Sequence, residues 1–227
     1  MFGIGGGSVR IPLLNLAGLP LVNAFAINLV AIPFSSTVGS IIHRKNICWE
    51  YVPYVMLGGI VGSVCGAFLV GLISNLVLAI IFVGVSIFTV TGIYFDKILP
   101  KLKDKLNLSP FPICTGTFIL NFITGMRGGS GGSLFPPFLN MLGLDIRKAI
   151  ATSLFTTIFT AVAGMMIYWR RGDIHWVQAF IVIAGSLIGA WLGSKLSLKS
   201  KPGWLKLGLS IFVVLLALMT LLKALVG

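Results

Sequence analysis

Arg127 stands directly ahead of the run Gly128-Gly129-Ser130-Gly131-Gly132-Ser133, and a second run, Gly3-Ile4-Gly5-Gly6-Gly7-Ser8, lies 125 residues upstream. A guanidinium, glycines that bare their backbone N–H groups and serine hydroxyls are together the parts of an oxyanion cradle. The guanidinium fork matches sulfite, sulfonate and carboxylate oxygens in pairs. At the same offset Gly6, Gly7, Ser8, Pro12 and Asn15 align with Gly131, Gly132, Ser133, Pro137 and Asn140, and Gly18-Leu19 and Gly143-Leu144 close both copies. Helical arms are expected from about Val9 and Leu134, with Pro12 and Pro137 in their first turns, where a missing N–H costs little. A helix start offers unpaired N–H groups and a partial positive charge, which suit an anion.

The candidate substrate-binding set is therefore Gly5, Gly6, Gly7, Ser8, Arg127, Gly128, Gly129, Ser130, Gly131, Gly132 and Ser133. Asn28 and Ser153, which match at the same offset and lie in apolar stretches, are added to it. Arg10 is the weaker cation, because its counterpart in the second copy is Phe135. His43, at the end of an apolar run beside Arg44-Lys45, is a candidate for proton coupling because histidine titrates near neutrality.

The elements that position these groups are membrane helices. The chain is 57% hydrophobic and 10% charged, with mean hydropathy +1.04; soluble domains carry about 25% charged residues. Apolar runs long enough to cross a bilayer cover 21–42, 51–72, 75–95, 149–168, 176–194 and 204–224. Glycine clusters interrupt such helices and free backbone groups at membrane depth. Those groups persist only where protein or a wet cavity meets them, and paired breaks in two halves mark a transporter's site.

Composition also excludes several classes. The net charge of +12 sits at segment ends, where basic residues orient helices and meet lipid headgroups, so the bilayer and not nucleic acid is the expected partner. The acidic residues Glu50, Asp96, Asp104, Asp145 and Asp173 all lie at segment ends or in loops, which argues against a cation substrate. Cys48, Cys65 and Cys114 lack metal or redox spacing. No phosphate-binding loop, acid–base pair or nucleophile–histidine arrangement stands within the spans, so neither an enzyme nor a bound metal or cofactor is expected.

The repeat continues beyond the glycines. Gly58, Gly62 and Gly66 fall on Gly185, Gly189 and Gly193 at offset 127, as helix-packing faces of the small-xxx-small kind. The organisation expected is a first half over 1–95, a polar linker over 96–110 and a second half over 111–227. If 111–143 enters and returns as a hairpin, Arg44, Lys45, four linker lysines, Arg147, Lys148, Lys195, Lys199, Lys201 and Lys206 share one side, against Arg170, Arg171 and Lys223 on the other. A single crossing instead divides the same basic residues 9 against 6. The positive-inside rule favours the hairpin. The expected fold is an all-α polytopic membrane protein with two homologous halves, each a glycine-broken re-entrant hairpin plus three transmembrane helices, arranged as inverted repeats.

The elements Phe2-Gly3-Ile4-Gly5-Gly6-Gly7, Pro12, Gly18-Leu19-Pro20, His43-Arg44-Lys45-Asn46 and Trp49 resemble the sulfite exporter TauE/SafE family. Gly128 to Ser133, Pro137, Gly143-Leu144 and Trp169-Arg170-Arg171-Gly172-Asp173-Ile174 with Trp176 carry the same resemblance through the second half. It implies a multi-pass plasma-membrane secondary transporter of sulfur-containing anions such as sulfite, sulfoacetate or related organosulfonates. Members carry a helix before the first glycine motif; only Met1-Phe2 precede it here, so the first hairpin arm is expected to be missing. The alternatives are an anion channel and a membrane scaffold subunit that transports nothing. A homodimer is a candidate assembly.

Overall fold

The computed structural model describes residues 6–93, 109–199 and 202–226, and within them the side chains of all but 88–93, 193–199, 202–210, 212 and 226. Gly5 and most of the 96–110 linker lie outside the described residues. All regular structure among the described residues is helical: α1 Gly7–Leu16, α2 Leu21–Ile42, a 3-10 turn Arg44–Asn46, α3 Val52–Val70, α4 Asn75–Ile93, α5 Pro110–Gly125, α6 Phe135–Met141, α7 Ile146–Arg171, α8 Trp176–Lys199 and α9 Pro202–Val226. Three of them, α2, α3 and α7, are long and apolar enough to cross a membrane, and the other three expected spans coincide with α4, α8 and α9. The helices α1 to α4 and α6 to α9 thus occupy stretches related by the sequence offsets, with α5 between them.

The repeat is visible at atomic detail in the turn after each glycine-headed helix. Asn15 Nδ2 donates to the Leu19 carbonyl at 3.0 Å, and Asn140 Nδ2 donates to that of Leu144 at 2.9 Å. Gly18 and Gly143 take φ of 101° and 108°, a left-handed conformation that suits a residue without Cβ. The N–H of Leu19 returns to Leu14 and that of Leu144 to Leu139, closing both helices with the same C-terminal motif. These two asparagines therefore satisfy freed backbone carbonyls at the turns.

Packing is organised around α2, α3 and α7. The glycine face of α3 lies against the backbone of α5: a Cβ at Gly62 would stand 2.9 Å from the Phe122 nitrogen, and one at Gly66 would stand 3.0 Å from that of Met126. Small residues are what permit so close an approach. The matching glycines of α8 behave differently, since nothing lies within 4 Å of a Cβ at Gly185 or Gly189. The larger core joins α2 to α4, α7, α8 and α9 through residues such as Phe25, Leu29, Phe82, Ala161, Tyr168, Ala179 and Ala217. A smaller cluster joins Val55, Ile113, Phe135, Leu139, Leu142, Leu144 and Ala149.

That smaller cluster fixes the course of the second glycine motif. Ile113, near the start of α5, shares it with Leu139 and Leu142 at the end of α6. The Phe138 ring lies over Gly116, where a Cβ would stand 2.7 Å from one of its carbons. The chain therefore runs along α5, breaks over 126–134 and doubles back beside it as α6. Asp145 then caps α7 by accepting the N–H groups of Arg147 at 2.9 Å and Lys148 at 3.4 Å.

Candidate functional site

Arg127 is the residue immediately after the C-cap of α5, and the break there is built from backbone bonds. The N–H of Gly128 bonds the Gly125 carbonyl at 3.1 Å, and that of Gly129 bonds the Thr124 carbonyl at 2.8 Å. Gly128 stands at φ 65° and Gly131 at φ 67°. A side chain at Gly128 would also meet Phe25, with a Cβ only 2.8 Å from the ring carbon Cγ. The position admits glycine and little else.

The Arg127 side chain is 4% exposed. Its Nη1 donates to Ser8 Oγ at 3.3 Å and to Ser86 Oγ at 3.5 Å, while Nη2 donates to Ser133 Oγ at 3.2 Å. The Phe82 ring lies 5.9 Å from Cζ, within cation–π range. One guanidinium therefore bridges Ser8 and Ser133, the residues that occupy equivalent places in the two glycine motifs. These contacts are longer than the ~2.7–2.9 Å of charge-assisted bonds, so the hydroxyls frame the cation loosely. Each serine accepts from Arg127 and keeps its own O–H to donate elsewhere. The C-terminal end of α5, partially negative, is a favourable seat for the charge.

The backbone around the guanidinium is rich in donors. Among the described residues, the N–H groups of Ser130, Gly131, Gly132 and Ser133 reach no backbone carbonyl. Gly7 and Ser8 open α1, and among the described residues their N–H groups reach no backbone carbonyl. Four carbonyls of the same segment, those of Gly128, Ser130, Gly131 and Gly132, are taken up by the protein. Asn28 Nδ2 donates to Gly128 at 2.7 Å, Thr160 Oγ1 to Ser130 at 3.2 Å and Ser153 Oγ to Gly132 at 3.4 Å. Gly131 accepts from the N–H groups of Leu134 and Phe135 at 2.8 and 2.9 Å. The N–H groups of Ser130, Gly131, Gly132 and Ser133 are the donors that this loop offers.

Of the residues expected at a site, Ser8, Arg127 and Ser133 meet through direct contacts, and Asn28 and Ser153 brace the loop from α2 and α7. Gly7 adjoins Asn28, since a Cβ there would stand 2.6 Å from Nδ2. Gly5 lies outside the described residues. His43 caps the end of α2, fifteen residues from Asn28, a separation of about 22 Å at 1.5 Å rise per residue. Sequence reasoning missed Ser86 and Phe82 on α4; a serine inside the apolar run 75–95 was the available signal. It also misplaced Pro12. Helix α1 begins at Gly7, two residues earlier than expected, so Pro12 lies in its second turn and withholds a donor from the Ser8 carbonyl. On the other side, α6 begins at Phe135 and Pro137 stays in its first turn.

Comparison with known proteins decides the family. The family model described as Sulfite exporter TauE/SafE matches residues 1–220. The chain belongs to that family. It is similar to a "Probable membrane transporter protein" of Haemophilus influenzae, 26% identical over 253 residues that cover 98% of this chain and 92% of that protein. The "Probable membrane transporter protein YfcA" of Escherichia coli K12 is 29% identical over 202 residues, covering 86% of this chain and 74% of the relative. The Bacillus subtilis protein of the same description, YdhB, is 28% identical over 201 residues, with 85% and 82% covered. No solved structure matches the chain. With its long apolar helices, this TauE/SafE member is a multi-pass membrane transporter.

Proposed function

We propose that this TauE/SafE protein is a secondary transporter of small anions, of the sulfite and organosulfonate class, in the plasma membrane. The observation that carries the reading is the Arg127 guanidinium, buried and held between Ser8 and Ser133. Around it stand the N–H groups of the second glycine loop and of the start of α1. A tetrahedral or pyramidal oxyanion matches such a donor set, because each oxygen can take a guanidinium, hydroxyl or backbone N–H. Asn28 and Ser153 hold the loop carbonyls away from it. His43, at the end of α2 and apart from the anion, is the candidate coupling group.

Flux into proteoliposomes tests the function. Saturable uptake of labelled sulfite that accelerates with internal counter-anion is expected. Unsaturated conductance would make the protein a channel, and absence of flux with any sulfur oxyanion would leave a scaffold.

In this reading the α5–α6 hairpin is re-entrant, meets the α1 break at the bilayer midplane and belongs to one of two inverted halves. The doubling back of α6 on α5 supports it, as does the bias of basic residues to one side. Lys45→Cys and Lys148→Cys, each made with Cys48, Cys65 and Cys114 replaced by alanine, should react with an impermeant maleimide from the same side of the membrane. Labelling from opposite sides would mean that residues 111–143 cross once and the halves are parallel.

A further inference from the structure

Arg10 is the cation of the first glycine motif, and its guanidinium lies at the start of its own helix. It is the fourth residue of α1, and its side chain turns back toward the start of that helix. A Cβ at Gly6 would stand 2.6 Å from Arg10 Nε and 2.9 Å from Cζ, so the guanidinium lies over the N-cap glycine itself. Its Nη1 is buried and meets no hydrogen-bond partner among the described residues, and the first turn of α1 contains no acidic residue.

Both features are costly for the protein alone. A cation at the positive end of a helix opposes the macrodipole, and a buried guanidinium nitrogen without an acceptor loses its hydration for nothing. An anion at that helix start removes both penalties. The same first turn is already approached from its other flank, since Ser8 Oγ accepts from Arg127. Gly6 and Arg10 are one turn apart and share a face of α1, whereas Ser8 lies nearly opposite them at 3.6 residues per turn. Two guanidinium groups therefore flank the N–H groups that open α1. The second half has no equivalent, because Phe135 stands where Arg10 would be and is fully buried.

We propose that Arg10 and the N–H groups of Gly7 and Ser8 form a second cationic arm of the anion site, and that the preferred ligand is a doubly charged oxyanion. The inference rests on the anion site proposed above and specifies its charge selectivity. A monoanion satisfies Arg127 and its serines; a dianion is needed to satisfy Arg10 as well.

Sulfate and methanesulfonate are the probes, both permanently ionised near neutrality, titrated against the full chain in lipid-free dodecyl maltoside. Sulfate is expected to bind at least about ten-fold more tightly, in line with one added charged hydrogen bond. Arg10→Gln should remove that preference and leave methanesulfonate affinity within about three-fold, while Arg127→Gln weakens both anions. Gly6→Ala places a methyl group where the Arg10 guanidinium lies and should reproduce the Arg10→Gln result without changing charge. An unchanged sulfate-to-methanesulfonate ratio in both Arg10→Gln and Gly6→Ala overturns this inference alone. Failure of the wild-type protein to bind either anion overturns the anion site itself. Repeating the titration with phosphatidylglycerol in the micelles separates a lipid phosphate from a solute. If phosphatidylglycerol competes at Arg10, and wild type without it shows no sulfate preference, the arm is a lipid anchor and the proposal falls.

Discussion

Arg127→Gln is expected to weaken sulfite binding about 10- to 150-fold, the equivalent of the 1.5–3 kcal/mol that a hydrogen bond to a charged group contributes. The side chain touches hydroxyls from both glycine motifs, so its removal uncouples Ser8 from Ser133 as well as deleting a charge. Transport should fall in the same measure. The fold should survive, because α5 ends on backbone bonds to Thr124 and Gly125 that do not use the side chain. Arg127→Lys separates charge from geometry. An ammonium is a point charge and cannot present two parallel donors to two serines, so an intermediate loss is expected. Lys103→Gln, in the linker, serves as the control and should leave affinity unchanged. Isothermal titration of the three variants, with circular dichroism to verify helicity, checks the set. Wild-type affinity in Arg127→Gln would mean that the arginine serves the fold and that the anion binds elsewhere.

Much of this site was legible in the chain because its parts are chemically rare in a membrane. An arginine beside a glycine run, and serines repeated at a fixed offset, stand out against apolar sequence. Helix positions were likewise readable from the apolar runs. Pairings between helices were not. The stripes Gly58-Gly62-Gly66 and Gly185-Gly189-Gly193 look alike in sequence, yet the first carries α5 at backbone contact and Gly185 and Gly189 of the second face open space. A small-residue stripe states that a helix can approach closely and says nothing about which one does. For the same reason Ser86 and Phe82 could not be assigned to the Arg127 environment, since only the packing of α4 in the shared core brings them there. Pro12 was misjudged for a different physical reason. A helix start tolerates glycine well, so the first turn begins at Gly7 rather than at about Val9.

The glycines themselves divide into those that build the break and those that leave space beside it, and the two kinds should fail differently. Gly128→Ala is expected to lower stability by about 2–5 kcal/mol, combining the ~1–2 kcal/mol cost of left-handed backbone for an L-residue with ~1–3 kcal/mol of overpacking. The φ of 65° supplies the first part. The second comes from Phe25, whose ring carbon Cγ a new Cβ would approach to 2.8 Å on a fully buried residue that stacks on Phe82. Gly132→Ala meets a gentler neighbour. Its Cβ would stand 2.9 Å from Thr157 Oγ1 and 3.1 Å from Cγ2, side-chain atoms that must give by a few tenths of an ångström, and Gly132 has no left-handed φ. That variant should insert and fold with a shift of under about 1.5 kcal/mol, as tolerated core changes do. It should still lose most transport, because its neighbour Ser133 is the anchor for Arg127 Nη2 and the loop carries the unbonded N–H groups. Gly132→Val extends the same test with a bulkier group and should abolish transport. Unfolding midpoints measured in detergent, set beside sulfite uptake in liposomes, separate the two behaviours. Full uptake by a folded Gly132→Val would show that the second loop does not line the anion path, and the donors of α1 would have to carry binding alone.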